Sequence, residues 1–483
     1  MAPLPRATSA TERSSTARRR IQEYQVTERL IVIGGDAAGM SAASQARRLK
    51  GPDELEILAF ERGRFTSYAA CGIPYWIGGL IGERDELVAR APEVFREKQS
   101  IDVRTGHEVV GIDTGARTVT VRDLAAGEEA EHAYDQLLVA TGATPLRPPV
   151  PGIDADGVFG VQTLEHGQKV LDALADRDPQ RAVVIGAGYI GIEMAEAMLL
   201  RGLEVHVVEM ADQPMSTLDP EMGDLVADAM RRMGMHLHLG VAVEGIATGE
   251  DGWIRGVVTA DGTLEADIAV LGTGTRPFSD LAADAEIPIG PSRGIVTDRR
   301  QRTPVDGVWA AGDCAETFHR VSRSPVSIAL GTIANKQGRI AGLNLGGSYS
   351  AFPGVLGTAV TKVCEMEIAR TGLGETAAQA AGFEVVAETI KGTTRAHYYP
   401  DATPITIKTV AERGTGRLLG AQIVGREGAA KRIDVFATAL WNEMTVDDLL
   451  NVDLSYAPPF SPVWDPILIA ARKVDGAVRA AGL

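Results

Sequence analysis

Cys71 stands in the run Ser67-Tyr68-Ala69-Ala70-Cys71-Gly72-Ile73-Pro74-Tyr75. A thiolate in such a turn can be stabilised by backbone amides at a helix start and act as a nucleophile. The ordinary role of a lone cysteine is a small buried core residue, and Cys364 and Cys314 read that way. Two glycine runs offer a different chemistry. Gly34-Gly35-Asp36-Ala37-Ala38-Gly39 and Gly186-Ala187-Gly188-Tyr189-Ile190-Gly191 each precede a helical pattern, and Glu61 and Glu209 lie 20–27 residues further on. Glycines at this spacing let a pyrophosphate reach a helix N-terminus, and the carboxylate takes the ribose hydroxyls. The second run matches G-x-G-x-x-G, whereas the first carries Asp36 at its middle glycine.

The elements that must hold these residues are legible around them. Residues 30–33 and 182–185 are short continuous apolar runs, the pattern of strands buried on both faces. Helical patterns follow each glycine run, and strands over 56–60 and 204–208 end on Glu61 and Glu209. The chain thus contains two dinucleotide-binding βαβ units, which need not hold the same nucleotide.

The whole chain of 483 residues has the length of about three domains. At 45% hydrophobic and 23% charged residues it has the composition of a globular protein. A formal charge of -16 argues against nucleic-acid and membrane-surface partners, and no apolar run reaches the ~18 residues that span a bilayer. Three cysteines make no disulfide framework, so a reducing, cytoplasmic setting is expected. Residues 1–28 are rich in Ser, Thr, Ala and Arg, include Arg18-Arg19-Arg20 and lack the apolar stretch of a secretory signal. They are expected to form a disordered tail; Glu12, Glu23 and Glu28 weaken a likeness to a transit peptide.

Two later segments assign the nucleotides. The apolar run from Tyr134 is broken by Thr141-Gly142, and Gly307-Val308-Trp309-Ala310-Ala311-Gly312-Asp313 ends another. These resemble the signatures with which flavin-dependent pyridine nucleotide–disulfide oxidoreductases close their FAD domain. The resemblance implies an α/β fold of two Rossmann-like dinucleotide-binding domains, one for FAD and one for NAD(P), plus a C-terminal α+β dimerisation domain. It places FAD on 29–152 and 276–346, NAD(P) on 153–275 and dimerisation on 350–475. FAD contacts then fall on Gly34, Gly39, Glu61, Thr141, Gly142 and, at the ribityl chain, Asp313. NAD(P)H contacts fall on Gly186, Gly188, Gly191, Glu209 and Gly274, with Tyr189 as a gate over the flavin. NADH is expected over NADPH, because Glu209 repels a 2′-phosphate and Met210-Ala211 offer no Arg.

In this superfamily the redox-active cysteine follows the first βαβ unit, where Cys71 stands. Ser67 occupies the place of a second cysteine, so Cys71 must cycle as a mixed disulfide or a sulfenic acid. With 334–339 and 456–461, the Cys71 segment resembles the single-cysteine coenzyme A-disulfide reductase group. That implies a homodimer, with Tyr398 and Tyr456 reaching the facing cysteine, and substrate contacts at Arg48, Ser67, Lys98 and Asn335. The expected activity is NAD(P)H-dependent reduction of a low-molecular-weight disulfide such as coenzyme A disulfide. Ala70 and Trp464 depart from the group's pattern and leave the thiol open; Ala37, where a His would serve peroxide chemistry, argues against that chemistry. An NADH oxidase, a polysulfide or per-thiol reductase, and a non-turnover flavin-binding regulator remain alternatives.

Overall fold

The computed structural model describes residues 27–482, so all but the end of the tail read over 1–28 lies outside the described residues. The first strand, Glu28–Ile33, begins inside that span, because Glu28 already pairs with Leu55. It is central in a parallel sheet ordered Val308–Ala310, Gln136–Val139, Glu28–Ile33, Leu55–Glu61, Asp102–Thr105. Leu30, Ile31 and Val32 are fully buried, as expected for a strand covered on both faces.

The helix Ala37–Leu49 lies against Gly331–Leu345. Small residues permit the approach: a Cβ on Gly338 would stand 2.3 Å from the Ala38 carbonyl oxygen, and one on Gly342 2.3 Å from that of Ala42. This crossing ties the return segment near 331 to the first glycine loop.

The second parallel sheet is ordered His236–Leu239, Glu204–Glu209, Arg181–Ile185, Ile268–Leu271, Val158–Gly160. The helix Tyr189–Leu200 follows its glycine loop. Antiparallel pairing of Ala143–Pro145 with Thr275–Pro277 brings the chain out of one unit and back from the other side by side. A third, antiparallel sheet spans 359–425, with Leu418–Gly425 buried throughout and the helix Pro466–Ala481 packed across it. No helix among the described residues is long and apolar enough to cross a membrane.

Candidate active site

Cys71 is central in the single turn Ala70–Gly72, which leads into the five-residue helix Ile73–Ile77 with Pro74 in its first turn. The turn is anchored on both sides. Ser67 takes a left-handed backbone (φ 48°) and donates its N–H to the Gly35 carbonyl at 3.2 Å, while the Ala89 N–H donates to the Ser67 carbonyl at 2.9 Å. Asp36 explains how a side chain is tolerated at a glycine position. Its carboxylate folds away from the loop and accepts the Tyr68 N–H at 3.2 Å, stitching the first nucleotide loop to the cysteine segment.

The surroundings do not lower the Cys71 thiol as the amide argument anticipates. Desolvation, then the carboxylates of Glu193 and Asp313, push it up, and its own backbone amide opposes them only in part. Glu193 stands at the start of the helix Tyr189–Leu200, where it accepts the Thr361 hydroxyl at 2.8 Å, and burial pushes its own carboxyl up. Tyr75 belongs to the same group: burial and Glu193 raise its phenol to about 12, and the Lys362 ammonium lies 5.8 Å over its ring. Lys362 pairs with Glu196 at 2.5 Å. Glu193 and Lys362 escape a reading by motif, since they come from segments remote from Cys71; only the Glu at 193, two residues after the last loop glycine, carries a local signal.

The two nucleotide loops share one construction. Glu61 accepts the N–H groups of Gly35 and Gly63, each at 2.7 Å; Glu209 accepts those of Ala187 at 2.6 Å and Ala211 at 2.9 Å. Each carboxylate thus fixes its loop and, with about four lone-pair sites, keeps capacity for ribose hydroxyls. A Cβ on Gly34 would meet the Ala140 oxygen at 2.2 Å, and one on Gly191 the Gly186 oxygen at 2.0 Å. Gly39 is held likewise against Gly34, and Gly186 against Gly272 at the return crossing. At Gly188 a Cβ would have no closer neighbour than 3.8 Å, so that glycine leaves room for a ligand rather than for the protein.

Asp313 supplies the test for FAD. Its Oδ1 is buried without a hydrogen-bond partner, and burial raises its carboxyl to about 6. An orphaned acceptor at this turn suits a ribityl hydroxyl donor. The turn itself is held by Gln337, whose side-chain oxygen accepts the Gly312 N–H at 2.8 Å. Thr141 donates its hydroxyl to the Phe278 carbonyl at 2.5 Å, and Gly142 (φ 74°) accepts the Phe278 N–H at 2.9 Å, closing the crossover beside the loop. Gly274, also left-handed (φ 88°), accepts the Leu146 N–H at 2.9 Å, a structural bond of that crossover. The residues present therefore fit FAD at the first loop and a nicotinamide dinucleotide at the second, where Tyr189 is half-buried as the first helical residue.

Arg48 and Lys98 are exposed on the neighbouring helices Ala37–Leu49 and Pro92–Gln99, and neither forms an ion pair among the described residues. Asn335 accepts the Ser41 hydroxyl at 2.8 Å; Ser41 precedes Arg48 by two helical turns and shares its face. Tyr398 and Tyr456 are brought together: the phenol of Tyr398 pushes that of Tyr456 up, and they stand 66% and 47% exposed. Phe460, Val463 and Trp464 are exposed with them, an apolar surface of the kind that a partner covers.

The family model described as "Pyridine nucleotide-disulphide oxidoreductase" matches residues 28–338, and that of its dimerisation domain residues 358–466. The NAD(P)H sulfur oxidoreductase (CoA-dependent) of Pyrococcus furiosus is 38% identical over 446 residues, covering 92% of this chain and 98% of the relative. An NAD-dependent persulfide reductase from A. fulgidus has a similar structure, with a TM-score of 0.90 and 39% identity over 94% of this chain and 84% of that one. Reduced CoADR-RHD of Bacillus anthracis superposes with a TM-score of 0.90 at 34% identity, covering 94% and 81%. With its two nucleotide loops, its orphaned Asp313 and its third sheet in these matched spans, the chain belongs to the pyridine nucleotide-disulphide oxidoreductase family.

Proposed function

We propose that this protein is a homodimeric, FAD-dependent NAD(P)H oxidoreductase that reduces a low-molecular-weight disulfide through Cys71, with coenzyme A disulfide or a coenzyme A per-thiol as the substrate class. The carrying observation is the position of Cys71. It lies within electrostatic reach of Asp313 at the first nucleotide site and of Glu193 on the helix that opens the second. Relatives described as a CoA-dependent sulfur oxidoreductase and a persulfide reductase support the sulfur substrate. The domain assignment follows: FAD on 29–152 and 276–346, NAD(P)H on 153–275, and dimerisation on 350–475. Three free cysteines suit a reducing cytoplasm.

Bound FAD supplies two-electron transfer from NAD(P)H to sulfur. The chain does the rest. Glu209 and the amides around Gly188 seat the nicotinamide dinucleotide, with Tyr189 at its edge. The Cys71 thiolate attacks one sulfur of the disulfide, forming a mixed disulfide as the first thiol leaves. Two electrons then cleave that bond, releasing the second thiol and restoring Cys71, so that one disulfide, two electrons and two protons give two thiols. Tyr398 and Tyr456 of the facing protomer donate to the departing sulfur, which their exposure and closeness to each other allow. Arg48 and Lys98 offer cations to substrate phosphates, with Ser67 and Asn335 as polar contacts.

The test is anaerobic and aerobic steady-state turnover with a panel of disulfides and per-thiols and both nicotinamides, in wild type and Cys71→Ser. Disulfide-stimulated NADH oxidation should vanish in Cys71→Ser while flavin reduction by NADH persists. Turnover that consumes oxygen and ignores every sulfur substrate would make the protein an oxidase instead.

A further inference from the structure

On the outer edge of the second parallel sheet, the strand Glu204–Glu209 pairs in parallel with His236–Leu239, and His206 lies directly opposite His236. Side chains alternate along a strand, so Glu204 and His206 share a face, as do His236 and His238. That face is the one opposite Val205 and Val207, which enter the core beneath the following helices. Three of the chain's eight histidines thus meet on two adjacent strands, a density that neither the core nor the nucleotide site requires. The His206 ring stacks on His236 at 4.7 Å and on His238 at 5.3 Å.

The donor atoms converge. Glu204 Oε1 lies 3.2 Å from His206 Nε2 and 3.7 Å from His236 Nε2, and all three atoms lie within 4.8 Å of one another. With bonds of about 2.0–2.1 Å, a tetrahedral zinc ion spaces its ligands about 3.4 Å apart, between the two shorter separations. His206 Nδ1 meets His238 Nε2 at 3.0 Å. When that bond is donated by Nδ1–H, the Nε2 lone pair of His206 faces the Glu204 carboxylate, an arrangement that a cation resolves. His238 is the group that would hold the ring in that tautomer. Arg181, on the next strand, is engaged by Glu265 and Asp267 and does not compete for Glu204. Glu204 and His236 are about half exposed, so an ion can enter from solvent and keep a water as fourth ligand. Among the described residues no other group of three such side chains brings its ligand atoms together.

We propose that Glu204, His206 and His236 bind one borderline divalent cation of the zinc class per chain, oriented by His238, and so pin the edge strand to the strand that ends at Glu209. Untagged holoenzyme in a Cys71→Ser background, titrated with zinc chloride by calorimetry, is expected to bind one ion per chain at this site. His236→Gln should lose it, and His238→Ala, which removes only the orienting group, should weaken it about 10–100-fold. FAD content checks that each variant is folded; His236 is on an exposed edge, where its replacement opens no cavity. In the chain without these substitutions, zinc should also protect His206 and His236 from diethyl pyrocarbonate, read by peptide mass. Unchanged affinity and stoichiometry in folded His236→Gln, or histidines equally reactive at saturating zinc, would overturn the assignment.

Discussion

Mixing two inactive variants measures whether the tyrosines serve their own chain or its partner. Tyr398 and Tyr456 lie close to each other on the surface of the single chain at 66% and 47% exposure, among exposed Phe460, Val463 and Trp464. A phenol aimed at a sulfur on which negative charge develops contributes on the order of 3 kcal/mol to lowering the barrier, which is roughly a hundredfold in rate. Chains carrying Tyr398→Phe and Tyr456→Phe should therefore retain about 1% of disulfide turnover, with flavin reduction spared. Cys71→Ser chains should retain none. Random reassociation of equal amounts makes half the dimers heterodimers, and action across the interface leaves each with one of its two sites intact. Activity should then recover to about one quarter of wild type, and a purified heterodimer should show about one half. The assay is anaerobic NADH oxidation driven by coenzyme A disulfide, with heterodimer content confirmed by differential tags. A confirmed heterodimer no more active than its parents would refute the reasoning and confine the tyrosines to their own chain.

Glu193 raises the Cys71 thiol, so disulfide turnover should climb from neutral to mildly alkaline pH as the thiolate forms. Glu193→Gln removes a negative neighbour and should move that rise to lower pH; a pH profile of kcat/KM that does not move would reject the coupling. Burial, then Glu61, pushes Asp36 up from 3.8 to about 7, so the native state holds this proton more tightly than the unfolded chain. That contribution is full below the unfolded value and is lost as pH rises through about 7. Asp36→Asn should stabilise the protein at alkaline pH, by at most about 4 kcal/mol for about three units, and should do nothing comparable in acid. Thermal unfolding at both extremes checks it, and equal differences at the two would contradict it. NADH should exceed NADPH in kcat/KM by at least about tenfold, since the Glu209 carboxylate meets a 2′-phosphate with like charge; Glu209→Gln should narrow the gap. Cys314→Ser and Cys364→Ser should leave disulfide turnover near wild type, because both serve packing; a collapse of turnover in either would show a second working thiol.

What the amino-acid order determined by itself is what is local along the chain. A strand, a glycine loop, a helix and a terminal acid occupy about thirty consecutive residues, so both nucleotide units, Glu61 and Glu209 could be read directly, while the turn at Asp313 was legible through its resemblance to a family signature. Their chemistry follows from backbone constraints: Gly34, Gly39, Gly186 and Gly191 are glycines because carbonyl oxygens or neighbouring loop atoms crowd the Cβ position. Cys71 stood out through the resemblance, which places a redox-active cysteine at this distance after the first unit.

The tertiary structure decided what lies between segments. Asp36 looked like a blemish in a motif and is a brace to Tyr68, thirty-two residues away. The thiol expected to be lowered by amides is raised by burial and then by Glu193, which reaches it only because the helix Tyr189–Leu200 packs beside Ile73–Ile77. Tyr398 and Tyr456, fifty-eight residues apart, come close enough for one phenol to shift the other, and the histidine cluster exists only because His206 and His236 fall in register on adjacent strands. Composition and spacing carry the angle of a loop or the face of one strand, since these are set by neighbouring dihedrals. Electrostatics and side-chain coordination depend on distances through space, and those exist only once the sheets and helices have packed.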